Sequence, residues 1–136
     1  MQLHWTQDFS VGVEEIDTQH KELFETINNL DSAMRKGKAK DETNRLIAFL
    51  DKYILFHFST EEKYMTELGY QRYSQHKIQH TWFIKTFSDI KKEFGTEGPT
   101  ADVIVMCNNL LIKWFSNHIR TVDMTLGVFL KSKIKI

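Results

Sequence analysis

The chain has 136 residues, 41% of them hydrophobic, and its 18 Lys and Arg balance 18 Asp and Glu to a net charge of zero. That length makes a single domain spanning 1–136 that buries about two thirds of its unfolded surface, and the balanced charge supplies no basic field for nucleic acid or anionic membrane. No run approaches the ~18 apolar residues of a membrane-spanning helix, Met1 leads into Gln-Leu-His-Trp and not a signal-peptide pattern, and a lone Cys107 excludes an intrachain disulfide framework, so a cytoplasmic protein without membrane insertion is expected.

An arm over 1–16 precedes a first helix expected at 17–37, where Ile16, His20, Leu23, Phe24, Ile27 and Leu30 recur at helical spacing and Gly37 ends the pattern. A second helix, 41–66, opens at Asp41 as N-cap and carries Leu46, Phe49, Leu50, Tyr53, His57 and Glu61 before Gly69 breaks it. A third, 70–94, carries Tyr73, His76, His80, Phe83, Phe87 and Ile90 and is expected to end at Gly95. The loop Gly95-Thr-Glu-Gly-Pro99-Thr100 holds the only proline. A fourth helix, 100–119, runs through Val103, Met106, Leu110, Leu111, Trp114 and His118, and the tail over 120–136 extends it or forms a small helix of its own. Short connections favour antiparallel neighbours, so the expected fold is all-α, an up-down-up-down four-helix bundle.

Seven residues carry the chemistry: His20, His57-x3-Glu61, His76-x3-His80 and His118-x4-Asp123. Helical residues four apart share one face, about 6 Å apart along the axis, so each such pair offers two side chains to one small object. Imidazole mixed with carboxylate suits iron or zinc better than magnesium or calcium, which prefer all-oxygen shells. Seven donors exceed one octahedral shell and point to two ions. The bundle places His20 early in its first helix, His57 and Glu61 late in the second, His76 and His80 early in the third and His118 at the end of the fourth. In that topology all of them lie at one end.

A lone histidine on an apolar face is ordinarily a core residue with a satisfied hydrogen bond. Five in apolar phase with two interleaved carboxylates need another explanation, because unpartnered burial would cost on the order of several kcal/mol. His4 has no metal-spaced neighbour and reads as an arm residue on the surface. Cys107 reads as a small buried hydrophobe. Phe56, Phe58, Trp82 and Trp114 are expected in the core, with those near the histidines also walling the site.

At these residues the chain resembles the hemerythrin family in its bacterial, single-domain form. The resemblance spans Trp5…Phe9-Ser-Val11-Gly12-Val13-Glu-Glu-Ile16-Asp17-Thr-Gln19-His20-Lys21, His57-Phe58-Ser-Thr-Glu61-Glu62, His76-x3-His80 and Trp114-Phe115-Ser-Asn-His118-Ile119-x3-Asp123, nearly the whole chain. It implies a carboxylate-bridged di-iron centre with a bridging oxo or hydroxo group. His76, His80 and His118 would hold one iron, His20 and His57 the other, and Glu61 and Asp123 would bridge. The second iron then keeps an open position for dioxygen, which implies reversible oxygen binding for carriage, storage or delivery and not an enzyme.

Two other readings stand beside it: a module sensing O2, nitric oxide or redox state, and a di-iron oxidase or peroxidase. Five histidines against two carboxylates disfavour the oxidase, whose ligand sets in ferritin-like bundles are carboxylate-rich. A reductase for the ferric form or an O2-consuming protein is the partner left open. One departure concerns Phe115, placed by the resemblance in the O2 pocket, where oxygen-carrying relatives usually have leucine. Its ring keeps the site apolar and adds bulk.

Overall fold

The computed structural model describes residues 4–133, so the two chain ends, including parts of the expected arm and tail, lie outside the described residues. A 3-10 turn, Gln7–Phe9, leads into three long helices: α1 (Glu14–Arg35), α2 (Ala39–Leu68) and α3 (Tyr73–Glu97). A fourth helix runs without a break over 101–133. It is α-helical over Ala101–Asn108, π-helical over Asn109–Phe115, α-helical for one turn at Ser116–His118, π-helical again over Ile119–Asp123 and α-helical over Met124–Lys133. Three-to-four-residue loops join consecutive helices, which pack as antiparallel neighbours into a four-helix bundle.

The ends follow local chemistry. Gly69 closes α2 in the left-handed region at φ 70°, where its N–H donates to Met65 O and a Cβ would be strained. Thr100 caps the fourth helix by accepting from the Val103 N–H at 3.2 Å. Several boundaries differ from the sequence expectation: α1 starts at Glu14, inside the expected arm, and α3 at Tyr73 instead of residue 70. Helix α2 starts at Ala39, leaving Asp41 in its first turn, where a carboxylate favours the positive end of the helix dipole. Helix α3 passes through Gly95, whose missing Cβ would meet nothing within 4 Å, and stops at Gly98, because Pro99 disfavours helical geometry in the residue before it.

The largest difference is the fourth helix, which continues past residue 119 to Lys133. No proline follows His118 to stop it, and its one glycine, Gly127, serves a contact instead. A Cβ at Gly127 would lie 2.3 Å from Val11 O, so only glycine lets the arm cross there. The arm is fastened as well by Asp17, which accepts from the Val11 N–H at 2.8 Å and from Ser10 Oγ at 2.6 Å.

The core divides in two. A large apolar cluster runs from Leu23 and Phe58 to the far end of the bundle, through Ile27, Leu30, Leu46, Leu50, Phe87, Val103 and Cys107. A smaller one gathers Val11, Val13, Ile16, Met65, Leu126 and Leu130 beneath the arm. Between them lies a buried polar layer. Phe58 and Trp114 face inward, whereas Phe56 and Trp82 are 57% and 50% exposed, contrary to the core expectation. With His57 and Phe58 inward, Phe56 falls on the outer arc of α2, and Trp82 stacks on Trp114 from outside at 5.8 Å between centroids. Among the described residues no helix is long and apolar enough to cross a membrane.

Candidate metal centre

The polar layer contains all seven residues singled out from the sequence. His20 from α1, His57 and Glu61 from α2, His76 and His80 from α3, and His118 and Asp123 from the fourth helix are each at most 2% exposed. Because the fourth helix runs on to Lys133, His118 sits near its middle and not at its end. Three pairs share a helix, but the last is spaced five apart. On a regular α-helix such residues point about 140° away from each other. The π turns of Ile119–Asp123 widen that coil, and His118 Nε2 comes within 3.1 Å of Asp123 Oδ1.

The donor atoms form two groups, each with all its atoms within 4.8 Å of one another: Glu61, His76, His80, His118 and Asp123 in one, and His20, His57, Glu61 and Asp123 in the other. The carboxylates belong to both; Asp123 divides its oxygens between them, whereas Glu61 Oε1 approaches His57 of one group at 4.0 Å as well as His76 and His80 of the other. Asp123 turns Oδ2 to His20 at 3.1 Å and Oδ1 to His76 and His118, each at 3.1 Å. Glu61 turns Oε2 towards His20 at 3.9 Å and Oε1 towards His80 at 3.0 Å.

These N···O approaches are short but are not hydrogen bonds. The inward nitrogens Nε2 of all five histidines, and both oxygens of Glu61 and Asp123, are buried without a hydrogen-bond partner. At 3.0–3.1 Å distance is not what fails; alignment is. The lone pairs converge on shared points between the side chains instead of facing one another. A cluster of buried orphan donors and acceptors is costly alone and is the arrangement a cation satisfies.

The outer faces of three rings are occupied. His57 Nδ1 donates to Gln19 Oε1 at 2.6 Å, His80 Nδ1 to Glu62 Oε2 at 2.9 Å and His118 Nδ1 to Gln79 Oε1 at 2.8 Å. An amide oxygen and a carboxylate only accept, so Nδ1 holds the proton and Nε2 presents its lone pair inward. Gln19 is itself held by Thr60 Oγ1, and Glu62 by Lys77 Nζ at 2.9 Å. None of these three roles was read from the sequence. The available signal was a polar side chain directly beside an inward ligand candidate: Gln19 by His20, Glu62 by Glu61 and Gln79 by His80.

The electrostatics express a site of mixed charge. Burial drives the pKa of His57 down to about 3, which keeps it neutral. Burial works against charge on His76 too, but its contacts with Asp123 and Glu61 outweigh that and hold it up at about 9. Burial and Asp123 both push the Glu61 carboxyl up, yet the surrounding imidazoles bring it to about 2. Asp123 is likewise held well below its usual range, chiefly by His118 against the effect of burial. Both carboxylates are therefore anionic and ready to bind a cation.

Aromatic rings enclose the layer. Phe58 stacks on His80 at 3.8 Å and Trp114 on His118 at 4.6 Å. The fully buried Phe115 lies 6.1 Å from the His20 ring, 6.0 Å from the His57 ring and 6.4 Å from the His118 ring, slightly nearer the group with fewer donors.

The chain belongs to the hemerythrin family: residues 11–130 match the profile of the hemerythrin HHE cation binding domain. It is 36% identical over 121 residues to a bacteriohemerythrin of Pseudomonas aeruginosa, covering 89% of this chain and 76% of that one. With the bacteriohemerythrin of Methylococcus capsulatus it shares 31% over 124 residues, covering 90% and 92%. Among solved structures it is similar to a tyrosine-for-leucine mutant of hemerythrin, at a TM-score of 0.73, 27% identity and coverage of 94% and 97%.

Proposed function

We propose that this chain binds dioxygen reversibly at a non-haem, carboxylate-bridged di-iron centre and serves O2 carriage, storage or delivery. His76, His80 and His118 would hold one iron and His20 and His57 the other, with Glu61 and Asp123 shared. The observation that carries the reading is the division of the orphaned donors into a group of five and a group of four with both carboxylates common to each. The smaller group has one donor fewer, and Phe115 covers that side. Family membership and the bacteriohemerythrin relatives support the choice of iron and of O2.

Two ferrous ions would supply the electrons and the coordination position that reversible O2 binding needs. The chain's own residues do the remaining work. Gln19, Glu62 and Gln79 orient three imidazoles and keep the Nδ1 proton away from the metal side. Phe58, Phe83, Trp114 and Phe115 form an apolar shell that excludes water and the protons it carries.

The test is iron quantification together with the ultraviolet-visible spectrum of the reduced protein before air, after air and after return to argon. Two irons per chain and a spectrum that reverses under argon are expected. One iron per chain, or an irreversible change with peroxide released, would overturn the carrier reading.

A further inference from the structure

A cleft of about 230 Å³ opens to the surface between the start of α3 and the fourth helix, directly behind His76. We propose that it binds a small oxyanion, which hydrogen-bonds His76 from the side opposite the carboxylates. The lining supplies donors: the Arg72 guanidinium, the Gln75 and Gln79 amides and His76 itself, with no Asp or Glu among them, while the Thr121 hydroxyl is spent on Asn117 O at 2.8 Å. Arg72 is the N-cap of α3 and Gln75 lies in its first turn, so the N-terminus of a 25-residue helix borders the same space.

The decisive observation is independent of that helix end. His76 is 2% exposed, and its Nδ1 is buried without a hydrogen-bond partner. Its Nε2 is engaged on the inner side, 3.1 Å from Asp123 Oδ1 and 3.6 Å from Glu61 Oε1. Nδ1, on the other edge of the ring, therefore faces the cleft. His57, His80 and His118 each have an acceptor built for Nδ1 from the protein; His20 and His76 do not, and of these two it is His76 that lines the cleft. Gln79 adds to this. Its Oε1 is taken by His118, which leaves its NH2 as the group available outward.

The acceptor this site lacks is thus a mobile one, and a guanidinium with a helix N-terminus selects an anion over water. The cleft has room for a tetrahedral oxyanion and some of its water, each water taking about 30 Å³. The inference rests on the di-iron reading in one respect: ligation through Nε2 fixes the proton of His76 on Nδ1 and makes it a donor. Anion binding would then strengthen two ligands together, His76 directly and His118 through Gln79.

Sulfate is the probe. Iron per chain is measured first, so a failure of the metal reading is registered separately. The iron-loaded protein is then titrated calorimetrically with sodium sulfate at fixed ionic strength, alongside Arg72→Gln, a surface change that leaves the core intact. One sulfate per chain and an affinity about tenfold weaker in Arg72→Gln are expected. In zinc-loaded protein labelled with 15N-histidine, sulfate should move the Nδ1 resonance of His76 most, His118 less, and His57 and His80 little. No saturable binding, equal binding to Arg72→Gln, or a shift centred on His20 or His57 would overturn the proposal.

Discussion

The two ends of this bundle are stabilised in opposite ways. At the far end Leu30, Leu46, Leu50, Phe87, Ile90 and Val103 bury apolar surface against one another. That end needs nothing but the chain. At the other end five imidazoles and two carboxylates are buried with their inward atoms unpaired, between the main core and the small cluster under the arm. Its packing brings together groups that are unfavourable in company until a cation joins them. The contrast teaches that one helix can be sound in half its length and conditional in the other, and the following experiments are chosen to separate the halves.

Removing the metal should have the largest effect and an uneven one. Chelation is expected to abolish hydrogen-exchange protection around residues 57–65, 76–80 and 118–126 while residues 46–50 and 87–90 keep theirs. Uniform loss or uniform retention would show that the ends are not independent. Asp123→Ala, which takes a donor from both groups, should drop bound iron to near zero while helical circular dichroism persists. Glu61→Ala should do the same. A variant of either kind that retained both irons would dismiss the shared-carboxylate assignment.

Next in size are two truncations that probe packing at each end. Phe115→Ala should lower stability by about 3–5 kcal/mol and speed autoxidation, because the cavity admits water beside His20 and His57. Leu46→Ala should lower stability by about 2–5 kcal/mol with iron content and O2 binding unchanged. Denaturant unfolding and stopped-flow spectroscopy on both proteins decide whether structure and chemistry part in this way.

Smaller again is the effect of the outer partners. Gln79→Leu leaves His118 Nδ1 without its acceptor and should weaken iron binding about 10–100-fold, measured by competition with a chelator. Phe115→Leu should be smallest. It is expected to cost less than about 1.5 kcal/mol and to raise O2 association and dissociation rates together. Unchanged rates would place the ring outside the ligand's path.

The legible and illegible parts of the chain divide along physical lines. The bundle could be read because apolar residues and histidines share one helical phase in each segment. His57 with Glu61 and His76 with His80 were legible as pairs, since four-residue spacing has a fixed meaning on an α-helix. His118 and Asp123 do not share an α-helical face, and a regular reading ends the helix at 119 and leaves Asp123 in a tail. Only the π turns bring them together, and hydrophobic periodicity carries no signal for them. Gln19, Glu62 and Gln79 stayed hidden because each acts on a histidine of another helix, which periodicity along one helix does not register. Phe56 and Trp82 show the reverse failure, aromatic residues assigned to the core by type and found half or more exposed.

The paired π stretches also set the phase of everything beyond them. Each residue accommodated by such a bulge turns the downstream helix by about 100° relative to an uninterrupted one. Leu126 and Leu130 pack under the arm, and Gly127 meets Val11, only in the phase these bulges leave. Deleting Val122 would restore regular helix at the site, yet it would also swing Gly127 away from the arm and put a side chain in its place. The candidate ligands and the clasp that holds residues 9–13 are therefore geared to one another. A single-residue insertion or deletion anywhere between Asn109 and Asp123 is a change to both at once.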